Sequence, residues 1–220
     1  MADSKPFDPY EYIGVIVPGA VVAVGLFIQW PHAKEAVLSK DFSLGSFGVF
    51  LICAFVLGHL VQAVGNLVEA VVFLPLGGLP TDAVRSERQH LISADQRSRL
   101  SEIVSKVRGT ETSLADIDKK AWYSITREIY ATVAAAGMSG RIDAFNRTYG
   151  LLRGIAAALI VVFIWFAATH QAPQYLYATG ALIAMALYRM IRFARTYARE
   201  LFVQYLAIPR AQTGGVAGAS

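Results

Sequence analysis

Residues 45–75 read GSFGVFLICAFVLGHLVQAVGNLVEAVVFLP, and this stretch decides the fold of the chain. It carries no charged side chain before Glu69. A helix of about 20 residues is long enough to cross a hydrocarbon core of about 30 Å. We therefore expect residues 45–75 to form a transmembrane helix, which ends at Pro75 and the glycines that follow it.

Four polar residues interrupt the second half of this helix, and we call them the polar stripe: His59, Gln62, Asn66 and Glu69. Their spacing of three, four and three residues places them on one face of a helix. Polar side chains are unfavourable in lipid and normally turn toward protein or a water-filled cavity. We therefore expect the other helices of the chain to cover the polar stripe.

The polar stripe has two interpretations. In the first, its side chains form hydrogen bonds to neighbouring helices, and Gly58 and Gly65 let those helices come close. In the second, the stripe lines a water-filled pore or binds a polar ligand, because ionisable groups inside a membrane are often functional. The residues alone leave both interpretations open.

The composition indicates a multi-span membrane protein. The chain has 220 residues, of which 55% are hydrophobic and 16% are charged, and its mean hydropathy is +0.45. The charged share lies well below the roughly 25% of a soluble domain. A net charge of +4 and a pI near 9.2 would suit a nucleic-acid-binding protein. An excess of Lys and Arg is also typical of the cytoplasmic segments of membrane proteins, which accounts for the charge without nucleic acid.

The pattern along the chain predicts an all-α membrane protein with four transmembrane helices, which form two hairpins around a cytoplasmic helical insert. The predicted boundaries are a first hairpin (1–80), the insert (81–140), a second hairpin with a cytoplasmic helical extension (141–208) and a disordered tail (209–220). Pro209 is expected to end the last helix. In the insert, we expect one amphipathic helix from Ser93 to Gly109 and another from Ser113 to Gly137.

The distribution of positive charge predicts the topology. The linkers after the first and third spans contain only Lys34 and Lys40 of the twenty Lys and Arg residues. Because Lys and Arg concentrate on the cytoplasmic side, both termini and the insert are expected there, in a protein of the cytoplasmic (inner) membrane. The lipid bilayer is thus one predicted partner, and no nucleic acid is expected.

Arginines near the cytoplasmic ends of the spans are the remaining site candidates. Glu69 is expected at the same depth as Arg153 and Arg189, and we predict that it pairs with one of them. Further along the last helix, a spacing of three and four residues gives three arginines a common face: Arg192, Arg195 and Arg199. This face could contact anionic headgroups, a small anionic ligand or an acidic partner.

Nothing in the sequence indicates catalysis. Phosphate-binding and nucleophile motifs are absent. The single cysteine, Cys53, lies inside an apolar run. The four histidines are scattered along the chain: His32, His59, His90 and His170. We therefore expect no enzyme activity, cofactor or metal. The first span carries a surface of small residues, which predicts helix contacts between copies in a homo-oligomer: Gly14, Gly19, Ala23 and Gly25.

Two functions follow from this layout. The first is a non-enzymatic oligomeric membrane protein that responds to a signal or a cytosolic partner, with a pore or a perturbed membrane as its output. The second is a static anchor or scaffold that recruits a cytosolic protein. An intramembrane enzyme or a transporter is disfavoured, because inverted transporter repeats usually have an odd number of spans in each half.

Overall fold

The computed structural model describes residues 9–29, 44–86, 91–108 and 113–214. Within these ranges the chain is all-helical, which confirms the predicted class of secondary structure. The seven α-helices are α1 (Pro9–Phe27), α2 (Leu44–Phe73), α3 (Pro80–Arg85), α4 (Ala94–Arg108), α5 (Lys119–Ala135), α6 (Gly140–Ala168) and α7 (Pro173–Gly214).

Two of these helices, α2 and α6, are long and apolar enough to cross a membrane. They contain 30 and 29 residues, with mean hydropathies of 2.2 and 2.3 over their most apolar windows. The apolar part of α1, Tyr12–Phe27, is shorter. Since about 20 helical residues span a bilayer, α2 and α6 meet that requirement within the described residues.

In the insert, the start of α4 agrees with the sequence prediction and the start of α5 differs from it. At α4, Ser93 and Gln96 form the predicted reciprocal cap, because the Ser93 amide donates to Gln96 Oε1 at 2.9 Å and the Gln96 amide donates to Ser93 Oγ at 3.2 Å. Ser113 instead caps a short 3₁₀ turn, Leu114–Asp116. The start predicted at Ser113 is therefore wrong for the α-helix, which begins at Lys119 with Asp118 as its cap.

The buried side chain of Ile117 explains this difference. Ile117 is extended and almost fully buried, so the chain leaves the helical conformation there before α5 begins. The Asp118 carboxylate then accepts hydrogen bonds from the amides of Lys120 and Ala121 at 2.9 and 3.0 Å. At the other end, Gly137 has a φ of 72°, a left-handed conformation that commonly ends a helix.

The ends of α2 and α7 give one agreement and one correction. After α2, Gly77 and Gly78 have φ angles of 84° and 115°, so the predicted helix breaker is present. The predicted end of the last helix at Pro209 is wrong, because α7 continues to Gly214. A proline removes one backbone donor, but its fixed φ of about −65° is close to the helical value. Gly109, where the first helix of the insert was predicted to end, and residues 215–220 of the predicted disordered tail lie outside the described residues.

The chain divides into two compact units. The first, which we call the span unit, comprises Met1–Val71 and Arg147–Ile191; the second, the helical module, comprises Val72–Asn146 and Arg192–Ser220. The core of the span unit contains mainly alanine and valine side chains, with one phenylalanine, from α1, α2 and α6: Val22, Val61, Ala157, Ala158, Val162 and Phe166. Such small residues let helices approach closely without a hydrophobic driving force.

Trp122 lies at the centre of the helical module. Its side chain is completely buried and stacks on Phe202, with ring centroids 5.7 Å apart. Its indole Nε1 donates a hydrogen bond to the Thr81 carbonyl oxygen at 2.9 Å. Ten further buried residues complete this core: Val84, Leu100, Val104, Leu114, Ile117, Ile129, Val133, Ile142, Leu201 and Leu206. A buried aromatic side chain with a satisfied polar atom stabilises a core more than an aliphatic residue of smaller area.

Replacing Trp122 is therefore expected to destabilise the module severely. Trp122→Ala should lower the free energy of unfolding by about 3–5 kcal/mol, because it leaves a large cavity and removes the hydrogen bond to the Thr81 carbonyl. The neighbouring Tyr123, 61% exposed on the same helix, provides a matched control, and Tyr123→Ala should change stability by less than about 0.5 kcal/mol. Denaturant unfolding of the full chain in detergent measures both; equal losses would contradict the assigned core.

Candidate functional site

The first two helices touch backbone to backbone within the span unit. A Cβ atom built on Gly19 of α1 would overlap the carbonyl oxygen of Ala54, and one built on Gly58 of α2 would overlap the carbonyl oxygen of Val15. Only glycine fits at these two positions without moving a helix. Close contact of this kind is the usual role of small residues between membrane helices.

Gln62 of the polar stripe completes the backbone hydrogen bonding of α1. Pro18 lies inside α1 and has no N–H, so the carbonyl of Gly14, four residues earlier, lacks its helical donor. The Gln62 side-chain amide of α2 donates to that carbonyl at 2.9 Å. A polar side chain thus satisfies a backbone group that a proline has left without a partner, as is common where proline occurs in a membrane helix.

The third helix reaches the same point. A Cβ atom on Gly154 of α6 would lie 2.7 Å from Pro18 Cγ and 3.4 Å from Gln62 Nε2. Any larger residue at position 154 would therefore displace α6 from α1 and α2. We call this group of Gly14, Pro18, Gln62 and Gly154 the proline junction.

Glu69 pairs with Arg153 of α6, one of the two partners that the sequence predicts. The Arg153 guanidinium donates to Glu69 Oε2, and the two side chains are only 23% and 19% exposed. The same guanidinium lies 5.9 Å from the centroid of the Tyr149 ring, within the range of a cation–π contact. A Cβ atom on Gly65 would lie 3.5 Å from Arg153 Cγ, an ordinary van der Waals contact, so the arginine stem packs directly over this glycine. Arg189, the other predicted partner, is exposed on α7.

The pair retains some unused hydrogen-bonding capacity. Arg153 Nε and the Tyr149 hydroxyl are buried and have no hydrogen-bond partner within the described part of the chain. A buried polar group without a partner is unfavourable by roughly 1–3 kcal/mol. The salt bridge itself connects α2 to α6.

His59 and Asn66, the other half of the polar stripe, are exposed. The expectation that the helices of one chain cover all four residues is therefore wrong. From His59 to Glu69 the spacing turns through about 80° of the helix circumference, at about 100° per residue. Gln62 and Glu69 lie on the inner edge of this arc, and His59 and Asn66 lie on the outer edge. The His59 ring makes an edge-on contact with Phe55, with centroids 4.6 Å apart.

The small residues of α1 are occupied within the chain, in contrast to the contact between copies that the sequence predicts. Gly19 contacts α2 as described above, Ala23 is only 2% exposed, and a Cβ atom on Gly25 would overlap the Val162 side chain of α6. Gly14 alone has open space around its Cβ position. A surface already covered by α2 and α6 no longer supplies an argument for oligomerisation through α1.

The arginine row on α7 is exposed, as a solvent- or headgroup-facing surface requires. Arg192, Arg195 and Arg199 are all exposed, whereas Ala194 and Ala198 between them are buried. The side chains therefore project from one face of α7 while the opposite face packs in the module. The three charges are available to anionic groups outside the chain.

The sequence did not reveal one further feature, a groove between α4 and α5 in the module. It has a volume of about 490 Å³ and is lined by Val104, Val107, Ala121, Ser124, Ile125, Glu128, Ile129, Thr132 and Tyr205. Burial, together with the nearby Glu128 carboxylate, raises the pKa of Tyr205, so this phenol stays protonated. The amphipathic pattern of the two helices predicted apolar faces but gave no sign that the faces leave a gap.

No group of three or more His, Cys, Asp or Glu side chains in the described part of the chain is placed to hold a metal ion. His32 and His90 lie outside the described residues. No family model matches the sequence, and no curated protein or solved structure is significantly similar to it.

The proline junction predicts a specific coupling between two residues. Gln62→Leu should destabilise the chain by about 0.6–1.7 kcal/mol, the range measured for hydrogen bonds between membrane helices. In a Pro18→Ala background the N–H of residue 18 becomes the donor to Gly14, so the same substitution should be nearly neutral. Unfolding of the four proteins in detergent measures the coupling, and an equal loss in both backgrounds would contradict this role of Gln62.

The Glu69–Arg153 pair predicts that one substitution is worse than two. Arg153→Met leaves the Glu69 carboxylate without its cation and should cost about 1.5–3 kcal/mol. Combining it with Glu69→Gln removes both charges and should recover most of that loss. Glu102→Gln, which breaks the exposed Glu102–Lys106 pair of α4, is the matched control and should be near neutral. If the double variant is less stable than Arg153→Met, the pair does not act as described.

Proposed function

We propose that this chain is a non-enzymatic integral membrane protein that holds its helical module at the cytoplasmic face as an anchor for a cytosolic protein. One observation carries the proposal: both inward-facing residues of the polar stripe are engaged by the span unit itself. Gln62 satisfies the Gly14 carbonyl, and Glu69 pairs with Arg153. These polar residues therefore have a structural use within one copy and do not need a transported ion to account for them.

The proposed placement in the membrane uses four spans with both termini in the cytoplasm. Helices α2 and α6 are two of them, and the apolar parts of α1 and of α7 before Arg189 are proposed as the others. The asymmetric distribution of Lys and Arg supports this orientation. The membrane is proposed to be the cytoplasmic (inner) membrane.

Two surfaces of the module support a role in binding. The arginine row on α7 is proposed to contact anionic headgroups, where each residue contributes about 1 kcal/mol near the surface. A small anionic ligand would use the same charges. The groove between α4 and α5 is lined by both apolar and polar side chains, Glu128 and Tyr205 among the latter, a mixed composition that a protein-binding surface can have.

A partner-responsive pore is the second candidate, and the exposed His59 and Asn66 favour it. If several copies turned this face of α2 toward a central axis, the two residues would give that axis a polar lining. The same oligomer could also perturb the membrane when a partner binds the module. This candidate and the anchor differ in one measurable property, the passage of ions.

Ion flux separates the two candidates. Purified protein in liposomes that enclose potassium should release it no faster than protein-free liposomes, because the inward polar residues are already paired. Faster release that is abolished by His59→Leu together with Asn66→Leu would overturn the anchor in favour of the pore. An ionophore added at the end confirms that the liposomes were intact.

Labelling with an impermeant maleimide tests the proposed orientation of the chain in the membrane. In a Cys53→Ser background, a cysteine at Ser113 in the module should react only after the cells are permeabilised. A cysteine at Ala36, in the linker after the first span, should react in intact cells. Reaction of position 113 from outside would contradict the cytoplasmic placement of the module.

A further inference from the structure

One face of α2 is exposed and is not covered by the other described helices of the chain. Its residues follow one another at alternating intervals of four and three, and all are exposed: Ile52, Val56, His59, Ala63, Asn66 and Ala70. We call this face the seam. Each interval of three together with an adjacent interval of four makes seven residues, the heptad repeat by which one face of a helix can lie along a parallel partner helix.

The seam is separate from the contacts that hold the span unit together. Ala54, Gly58 and Val61 are buried, and Gln62 and Glu69 form bonds to α1 and α6. By contrast, Ile52 and Val56 on the seam are 66% and 54% exposed. Helix α2 therefore has one face covered by its own chain and one face that is left open.

Two polar residues on the seam make an open face unfavourable in lipid. His59 and Asn66 lie one heptad apart, and neither has a hydrogen-bond partner within the described residues. The proposed function places α2 across the membrane, and the inference rests on that placement. Polar side chains in such a helix normally face protein or water, so a partner is needed to cover them.

A second copy of the same chain fits this requirement. All copies enter the membrane in one orientation, so equivalent helices meet in parallel and each residue lies opposite its own counterpart. An asparagine side chain contains both a donor and an acceptor and can therefore pair with an identical residue. Ala63 and Ala70 lie one interval before and after Asn66 on the seam, and their small side chains allow the close approach that such a bond needs.

We propose that two copies of this chain associate through the seam, with α2 against α2 and Asn66 hydrogen-bonded to Asn66 of the partner subunit. A buried asparagine in a heptad seam fixes the register of the two helices. The pair closes on itself about a two-fold axis, the commonest symmetry of homo-oligomers. This places the contact between copies on α2 and leaves α1 inside each copy.

Disulfide crosslinking tests the geometry with closely matched controls. In a Cys53→Ser background, cysteines at Ala63 and Ala70 on the seam should form a disulfide-linked dimer in oxidised membranes. Cysteines at Leu67 and Val71, which are 65% and 63% exposed but lie beside the seam, should crosslink at least about tenfold more slowly because they do not face the partner helix. Equal rates at all four positions would overturn the proposal, because they would indicate random collisions.

A second measurement tests the role of Asn66. Energy transfer between labelled copies diluted in liposomes should show that Asn66→Leu weakens self-association roughly threefold, the effect of one average hydrogen bond between membrane helices. Leu67→Ala, beside the seam, should leave it unchanged. An unchanged affinity for Asn66→Leu, or the mass of one chain in detergent, would overturn the proposal.

The failure of this inference is distinguishable from the failure of the proposed function. Extraction of the membranes with alkaline carbonate shows whether the chain is inserted. A chain that stays inserted but monomeric overturns the seam alone. A chain that carbonate releases overturns both the membrane placement and the seam.

Discussion

The packing of the span unit depends on a hydrogen-bond donor that Pro18 does not have. A proline inside α1 leaves the Gly14 carbonyl without its helical partner, and Gln62 of α2 supplies the missing donor at 2.9 Å. Because the bond is short, the two helices must lie close, and the glycines at 19 and 58 remove the side chains that would keep them apart. Gly154 brings α6 onto the same proline. One missing amide thus links three helices, and Gln62, one of the four residues considered as a pore lining, has a structural partner.

The same requirement for a polar partner explains why only part of the polar stripe is bonded within one chain. Gln62 and Glu69 each meet a group that needs them, a free carbonyl and a guanidinium. His59 and Asn66 lie across the arc and meet no such group among the described residues. A polar residue in an apolar helix therefore indicates a contact, but the location of that contact depends on which polar groups of the neighbouring helices still need a partner.

Sequence reasoning succeeded where a local rule decides the outcome. The cap at Ser93 and Gln96 and the glycine break after α2 depend on neighbours in the sequence, and counting residues to equal depth gave Arg153 as one of two candidate partners for Glu69. It failed where long-range packing decides. Ile117 is drawn into the module core and delays α5 until Lys119, and the short helix α3 forms where the chain leads to the Trp122 core. The hydrogen bond between Gln62 and Gly14 could not be predicted in this way. It depends on α2 passing next to the carbonyl that Pro18 leaves without a donor, and the spacing of residues along one helix does not show which groups of another helix lie beside it.

The glycines of α1, α2 and α6 differ in how well they would tolerate substitution by alanine. At Gly58 and Gly19 even one methyl group would collide with a backbone carbonyl, whereas at Gly48 and Gly150 a methyl group would meet open space. Alanine favours a helix over glycine by about 1 kcal/mol, so the same replacement is forbidden at the first two sites and stabilising at the other two. Natural variants and engineered libraries should therefore be depleted at Gly19 and Gly58 and enriched in alanine at Gly48 and Gly150, a contrast that no composition-based score would register.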